Sequence, residues 1–369
     1  MNIDIFTVAY RDPQLARSIV RRIASTSQTP IRLMEVCGTH TMAIFRHGIR
    51  SLLPDTITLL SGPGCPVCVT DQSDIDAFVR LARRDDVVIA TFGDLMRVPG
   101  NGSSLQQERA DGADVRVVYS PLDAVQTARE APEKKIIFLG VGFETTAPTI
   151  AAALITARRL GLDNFYVYPA NKTVPPALNA LMTQKTSHEH PPGIDGFLLP
   201  GHVSVIIGIS AYQRFHEQFH TPCVVAGFEP VDILESILQL TRQIENGEAL
   251  LANAYSRAVT ENGNAKAKKI TDEVFESCNA RWRGIGIIPG SGLSIRKEFR
   301  RFDATCSFDL DITPVPEPKG CACGDILTGN KTPLECALFR TTCTPMAPVG
   351  PCMVSSEGTC SAYYRYHEA

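Results

Sequence analysis

The stretch Ile57-Thr58-Leu59-Leu60-Ser61-Gly62-Pro63-Gly64-Cys65-Pro66-Val67-Cys68-Val69-Thr70 runs from a short β-rich apolar segment into a glycine- and proline-stiffened turn that displays a CxxC pair. Downstream, Ile75, Phe78, Val79 and Ala82 recur at helical spacing with Thr70 placed as N-cap. Strand, polar turn and helix is therefore the unit to look for elsewhere. Gly62 and Gly64 permit close backbone approach, while Pro63 and Pro66 limit how far the turn relaxes, so the two sulfurs are held ready. Cys68, just before a helix N-terminus, faces unpaired N–H groups and the positive end of the helix dipole, which favours its thiolate. Such a pair is a reactive dithiol or a set of metal ligands; the plainer alternative is two small apolar fillers in a buried turn.

The same unit recurs along the chain. Ile31 to Val36 reads as a strand running into Cys37-Gly38-Thr39-His40, and a helical pattern follows from Met42 to Ile49. Val87 to Thr91 ends at Phe92-Gly93-Asp94, Lys135 to Val141 at Gly142-Phe143-Glu144, and Phe165 to Tyr168 at Pro169-Ala170-Asn171-Lys172. Phe197 to Leu199 leads to Pro200-Gly201-His202, and Cys223 to Ala226 to Gly227-Phe228-Glu229. Val203 to Phe215 reads as one apolar helix, and Ala265 to Arg281 as another before a strand at Ile285 to Ile288. This alternation predicts an α/β fold of two parallel-sheet βα domains with helices on both faces, residues 1–130 and 131–302, and functional residues outside the carboxyl ends of the strands. Cys37, His40, Cys65, Cys68, Asp94, Glu144, Asn171, His202 and Glu229 all fall there, which suggests shared clefts.

After about Asp303 helical periodicity fades, prolines accumulate, and six of the twelve cysteines fall between 321 and 360. Residues 303–369 read as a separate loop-rich module too poor in large apolar side chains for a core of its own, so an inorganic cross-link is the natural source of order. Four thiolates bind Zn2+ or a 4Fe-4S cluster; a CxC followed by wide gaps, without two tight CxxC knuckles, favours the cluster with its larger span. In the amino-terminal half, Cys37, Cys65 and Cys68 offer three soft ligands for iron if the sheet order brings their turns together. Cys65 and Cys68 alternatively form a thioredoxin-like dithiol. His40 and His202 are proton donors, ligands or hydrogen-bonded structural residues, and Glu144 is a cap or a proton shuttle. His188-Glu189-His190 sits beside Pro191-Pro192 without further donors and reads as surface.

The whole chain narrows the function classes. With 44% hydrophobic and 20% charged residues it is composed like a soluble globular protein, and a formal charge of −3 without a long basic run argues against nucleic acid as the main partner. No run approaches the roughly 18 apolar residues of a membrane helix, and Met1 to Arg11 carries an acid where a secretory leader needs a basic start. The expected location is cytoplasmic, where twelve cysteines point to metal binding or redox chemistry more than to a disulfide framework.

Taken together, Cys37-Gly38-Thr39-His40, Gly62-Pro63-Gly64-Cys65-Pro66-Val67-Cys68, Gly142-Phe143-Glu144-Thr145-Thr146, Pro200-Gly201-His202-Val203 and the six-cysteine tail resemble the HypD hydrogenase maturation factors over nearly the whole chain. The resemblance implies an accessory protein that assembles the Fe(CN)2CO unit of NiFe hydrogenases with a HypC-like small chaperone and a HypE-like cyanide donor, serving the hydrogenase large subunit indirectly. It implies a scaffold with redox activity rather than a simple turnover enzyme. Cys37 would be the principal thiolate at the transient iron that carries CN and CO, with Cys65 and Cys68 as redox-active pair and further ligands, and His40, Glu144 and His202 lining the cleft. Cys321, Cys336, Cys343 and Cys360 would hold a 4Fe-4S cluster, leaving Cys323 and Cys352 over, with Cys323 able to replace Cys321. Two rival classes are a freestanding thiol-disulfide oxidoreductase using Cys65 and Cys68, and a docking platform whose metal only folds the tail.

Overall fold

The computed structural model describes residues 9–183, 193–310 and 312–367; His188-Glu189-His190 lies outside them. Among the described residues the strands are β1 (Ile31–Glu35), β2 (Ile57–Ser61), β3 (Val87–Thr91), β4 (Val115–Val117), β5 (Lys135–Gly140), β6 (Phe165–Pro169), β7 (Gly196–Pro200), β8 (Cys223–Ala226), β9 (Leu251–Asn253), β10 (Phe275–Trp282) and β11 (Gly286–Ile295). Nine of them make two wholly parallel sheets, ordered β2-β1-β7-β8-β9 and β4-β3-β5-β6. The continuous apolar runs predict this, because a parallel strand is covered on both faces: β3 and β7 are buried at every position.

The expected α/β class with a cysteine-bearing, loop-rich tail is what the chain forms. The sheets do not follow a division at residue 130, however. β3, before it, is hydrogen-bonded to β5, after it, while β1, with β2 on its other edge, pairs with β7, beyond residue 195. The chain leaves the first sheet after β2, builds the second, and returns. Local alternation announces βα units but contains nothing about which strand pairs with which.

Each sheet has an outer core of its own. Ile23, Leu33, Leu198, Val224 and Ile237 fill one, and Val88, Phe138, Ile150, Leu154 and Phe299 the other. Between the sheets lies a third core that joins Met34, Leu60, Val69, Leu139 and Val225 to the tail residues Ile326, Met353 and Tyr363. The tail thus lacks a private core, as its composition predicts, but it borrows the central one and is not a detached module.

Three local readings change. Val203 to Phe215 is broken at Gly208, where φ is 83° and a Cβ would meet Glu261 O at 2.4 Å, so the helices are Gly201–Ile207 and Gln213–Phe219 with a 3-10 turn between. The helix begun at Ala265 stops at Val274, and Phe275–Trp282 is instead the first strand of an antiparallel hairpin with β11. Its partner strand supplies hydrogen bonds that no window of local sequence displays. Finally, Pro66–Val69 forms a helical turn of its own, since proline is pre-organised for a first helical position, and Asp71 rather than Thr70 caps the helix Gln72–Ala82 by accepting the Ser73 N–H at 3.0 Å. Among the described residues no helix is long and apolar enough to cross a membrane.

Candidate functional site at the facing sheet ends

In the first sheet β1 leads to β2 on one side, while β7 on the other side leads on to β8; in the second, β3 leads to β4 and β5 to β6 in the same divergent way. Such switch points leave a crevice outside the strand ends. The two crevices face each other across a cleft of about 520 Å3. Thr39 and Gly64 line it from the ends of β1 and β2, Phe92 and Asp94 from β3, Val141, Phe143 and Thr146 from β5, and His202 from β7.

At its floor the Cys37 and Cys65 turns touch. Gly38 N–H donates to Gly64 O at 2.9 Å, and a Cβ on Gly64 would sit 2.1 Å from Cys37 N. Only glycine admits that approach. Cys37 is the extended residue before the helix Gly38–Arg46, and its Sγ lies 3.7 Å from His202 Nε2. Burial, and then the nearby Glu357 carboxylate, push the Cys37 thiol up to about 12. His202 is stacked on Phe228 at 4.9 Å, and His40 stacks on the same ring at 4.7 Å. His40 Nε2 faces Gly227 O at 2.9 Å, so that nitrogen carries the proton, and burial lowers its pKa to about 4. His40 therefore supports the Phe228 ring that supports His202.

Cys65 and Cys68 form a disulfide, with Cα atoms 5.2 Å apart. Cys65 is the N-cap of the Pro66–Val69 turn and its sulfur takes the Cys68 N–H at 3.2 Å. The helix-end donor thus serves the sulfur of Cys65, not that of Cys68 as the sequence suggests. Cys65 Sγ also lies 3.3 Å from Ser355 Oγ in the tail. Asp94 anchors this tail loop by accepting from Ser355 Oγ, Ser356 N and Ser356 Oγ at 3.1, 3.2 and 2.9 Å. Beyond it, Glu357 accepts from Thr39 Oγ1 and enters the cleft wall.

Glu144 is turned away from the cleft that its neighbours Phe143 and Thr145 line. Its Oε1 accepts the Val174 N–H at 2.8 Å while Oε2 is buried without a partner, and burial pushes the carboxyl up to about 7. Asn171 Nδ2 donates to Thr146 Oγ1 at 3.1 Å behind the cleft wall. Glu229 caps the helix Pro230–Glu245 and pairs with Arg11 at the surface. Phe228 and Glu357 were not singled out in sequence. Their signals were there: Phe228 lies in a strand-end turn, and Glu357 in a glycine-bearing turn just before the helix Thr359–Tyr366.

All six tail cysteines, Cys321, Cys323, Cys336, Cys343, Cys352 and Cys360, line one apolar cavity. The sulfurs of Cys323 and Cys352, the two left over by the resemblance, lie 2.8 Å apart. Cys343 Sγ accepts the Val349 N–H at 3.3 Å. Among the described residues no three His, Cys, Asp or Glu donors converge on a point that would hold one metal ion.

A family model described as "Hydrogenase formation hypA family", named HypD, matches residues 14–367. The chain belongs to the HypD family. The hydrogenase maturation factor HypD of Azotobacter vinelandii is 45% identical over 361 residues, covering 97% of this chain and 95% of that one. Its counterpart in Rhodobacter capsulatus is 44% identical over 373 residues, and that of Escherichia coli 42% over 371, each covering 98% of both chains. Like those relatives, the chain is a hydrogenase maturation factor.

Proposed function

We propose that this HypD protein is the scaffold and redox centre on which the Fe(CN)2CO unit of NiFe hydrogenases is assembled, acting in the cytoplasm with a HypC-like chaperone and a HypE-like cyanide donor. The observation that carries the reading is the contact between the Cys37 turn and the Cys65-Pro66-Val67-Cys68 turn at Gly64, at the floor of an open cleft. Iron is the substrate here. Cys37 holds it as thiolate, the metal displacing the thiol proton, with His202 Nε2 3.7 Å from the sulfur. Soft thiolate donation suits an iron carrying cyanide and carbon monoxide. Opening the Cys65–Cys68 disulfide takes two electrons and two protons and frees two sulfurs on the turn whose Gly64 touches the Cys37 turn.

The tail suits a 4Fe-4S cluster better than a zinc ion. Its donor set is six soft sulfurs lining one apolar cavity, and a CxC followed by wide gaps is not the pair of tight knuckles usual for zinc. Of the six cysteines, Cys321, Cys336, Cys343 and Cys360 are the four that the family resemblance assigns to the group, and the Val349 N–H donates to the sulfur of Cys343. Such a cluster would supply electrons one at a time. Ser355, beside Cys65 and one turn from Cys352, joins that cavity to the disulfide. A freestanding oxidoreductase is not favoured, because Cys65 and Cys68 are 3% and 0% exposed and a foreign disulfide does not reach them.

The test is anaerobic copurification with the HypC-like partner, with iron and sulfide analysis and infrared spectroscopy. Wild type should carry tail iron and sulfide, plus one further iron with cyanide and carbonyl bands in the complex. Cys37→Ala should lose the bands and keep the tail iron. Full maturation of hydrogenase by Cys37→Ala would sink the assignment.

A further inference from the structure

The loop after β6 pairs with the hairpin as a further strand. Thr173 N–H donates to Ser291 O at 2.9 Å and Leu293 N–H to Asn171 O at 3.3 Å, which sets Lys172 opposite Gly292. Across the other edge of β11, Gly292 is opposite Cys278. Residues opposite one another in a ladder put their side chains on the same face. Lys172 and Cys278 therefore share a face with only a glycine between them. A Cβ on Gly292 would lie 2.7 Å from Ala280 Cβ and 3.0 Å from Cys278 Sγ, so the gap between them cannot be filled without repacking. The register shift between Cys278 and Ala280, a bulge of the kind that re-aims a side chain, falls at the same place.

Lys172, Gly292 and Cys278 line a cavity of about 240 Å3 that shares no lining residue with the cleft. Asp71, Asp74 and Arg281 line it too. Both acids are engaged: Asp71 Oδ1 accepts the Ser73 N–H at 3.0 Å, and Asp74 Oδ1 accepts the Tyr168 hydroxyl at 2.9 Å. Lys172 is different. It is 3% exposed, its Nζ stands 3.8 Å from Asp74 Oδ2, beyond hydrogen-bond distance, and among the described residues that nitrogen donates no hydrogen bond. A buried ammonium with unused donors is costly unless an acceptor reaches it. The setting suits a negatively charged one, because Arg281 stands at the same cavity and the helix Gln72–Ala82 turns its N-terminal end there. Ala170, Leu293 and Ile312 add an apolar wall.

We propose that this cavity is a binding site for a small organic carboxylate, its oxygens on the Lys172 ammonium and its carbon chain against Ala170, Leu293 and Ile312. The site lies directly behind the cleft wall, since Lys172 N–H donates to Gly142 O at 2.9 Å and Asn171 Nδ2 to Thr146 Oγ1 at 3.1 Å. Neither the iron nor the tail cysteines take part in it.

The experiment titrates acetate, propionate and butyrate into the full chain by ligand-observed nuclear magnetic resonance, and follows iodoacetamide labelling of Cys278 by peptide mass spectrometry. Affinity should rise about fourfold for each methylene added. Butyrate at about ten times its Kd should slow labelling of half-buried Cys278 about tenfold by mass action and leave exposed Cys306 unchanged. Lys172→Met should weaken butyrate binding about tenfold or more. If Lys172→Met does not fold, Ile312→Glu, at a position 38% exposed, sets a like charge beside the carboxylate and should weaken it in the same direction. Unchanged butyrate affinity in these variants, no gain with chain length, or Cys278 labelling indifferent to butyrate would overturn the proposal. So would inorganic phosphate competing as tightly as butyrate, because the apolar wall would then contribute nothing.

Discussion

Glu144 shows how a residue in a well-placed turn can act on stability rather than on the cleft. Its carboxyl titrates at about 7 in the folded chain against 4.5 for an ordinary glutamate, because burial disfavours the charge and Oε2 has no donor. A pKa raised by folding adds stability below pH 4.5 and loses it as pH rises through 7. Glu144→Gln keeps an acceptor for the Val174 N–H and removes the buried charge. Its melting temperature should therefore match wild type near pH 5 and exceed it near pH 8, by about 2 kcal/mol in stability. Thermal melts across that range check this, and a difference independent of pH would count against a buried carboxylate. His40 was likewise legible as a strand-end histidine. That its Nε2 is committed to Gly227 O, so that it steadies Phe228 rather than reaching into the cleft, depends on β8 lying two strands away from β1.

At the scale of elements, close backbone approaches hold the turns together. A Cβ on Gly38 would come within 2.5 Å of Glu357 Cβ and 2.7 Å of Glu357 O, so Gly38→Ala must push the Ser355-Ser356-Glu357 loop off the cleft wall. Hydrogen exchange should rise in residues 351–358 while β5 and β7 stay protected. Gly64→Ala drives apart the two turns themselves, since its Cβ meets the Cys37 backbone, and should cost about 3 kcal/mol or more by chemical denaturation. Most helices and strands were legible because their apolar residues recur at 3.6 or fill a short run. The misread segments share a cause. Phe275–Trp282 is a strand because β11 pairs with it, and the 203–215 stretch breaks because Gly208 meets the backbone of Glu261.

For the whole molecule the shared central core decides how stability is distributed. The tail places Ile326, Met353 and Tyr363 against Met34, Leu60 and Val69, so neither sheet nor tail is complete alone. Calorimetry should accordingly show the tail melting with the sheets in one cooperative transition, and removing residues 303–369 should leave a chain that aggregates through the uncovered core. A separate low-temperature transition for the tail would contradict this. Taken by itself, the sequence determined the α/β class, the strand-end turns and the cysteine inventory, because hydrophobic period, glycine and proline act within a few residues. Only the tertiary structure decided that the sheets interleave, that their switch points face each other, and that the turns carrying Cys37 and Cys65 meet His202 and Glu357 at one cleft. Strand order is set by packing between segments more than a hundred residues apart, and no local pattern carries it.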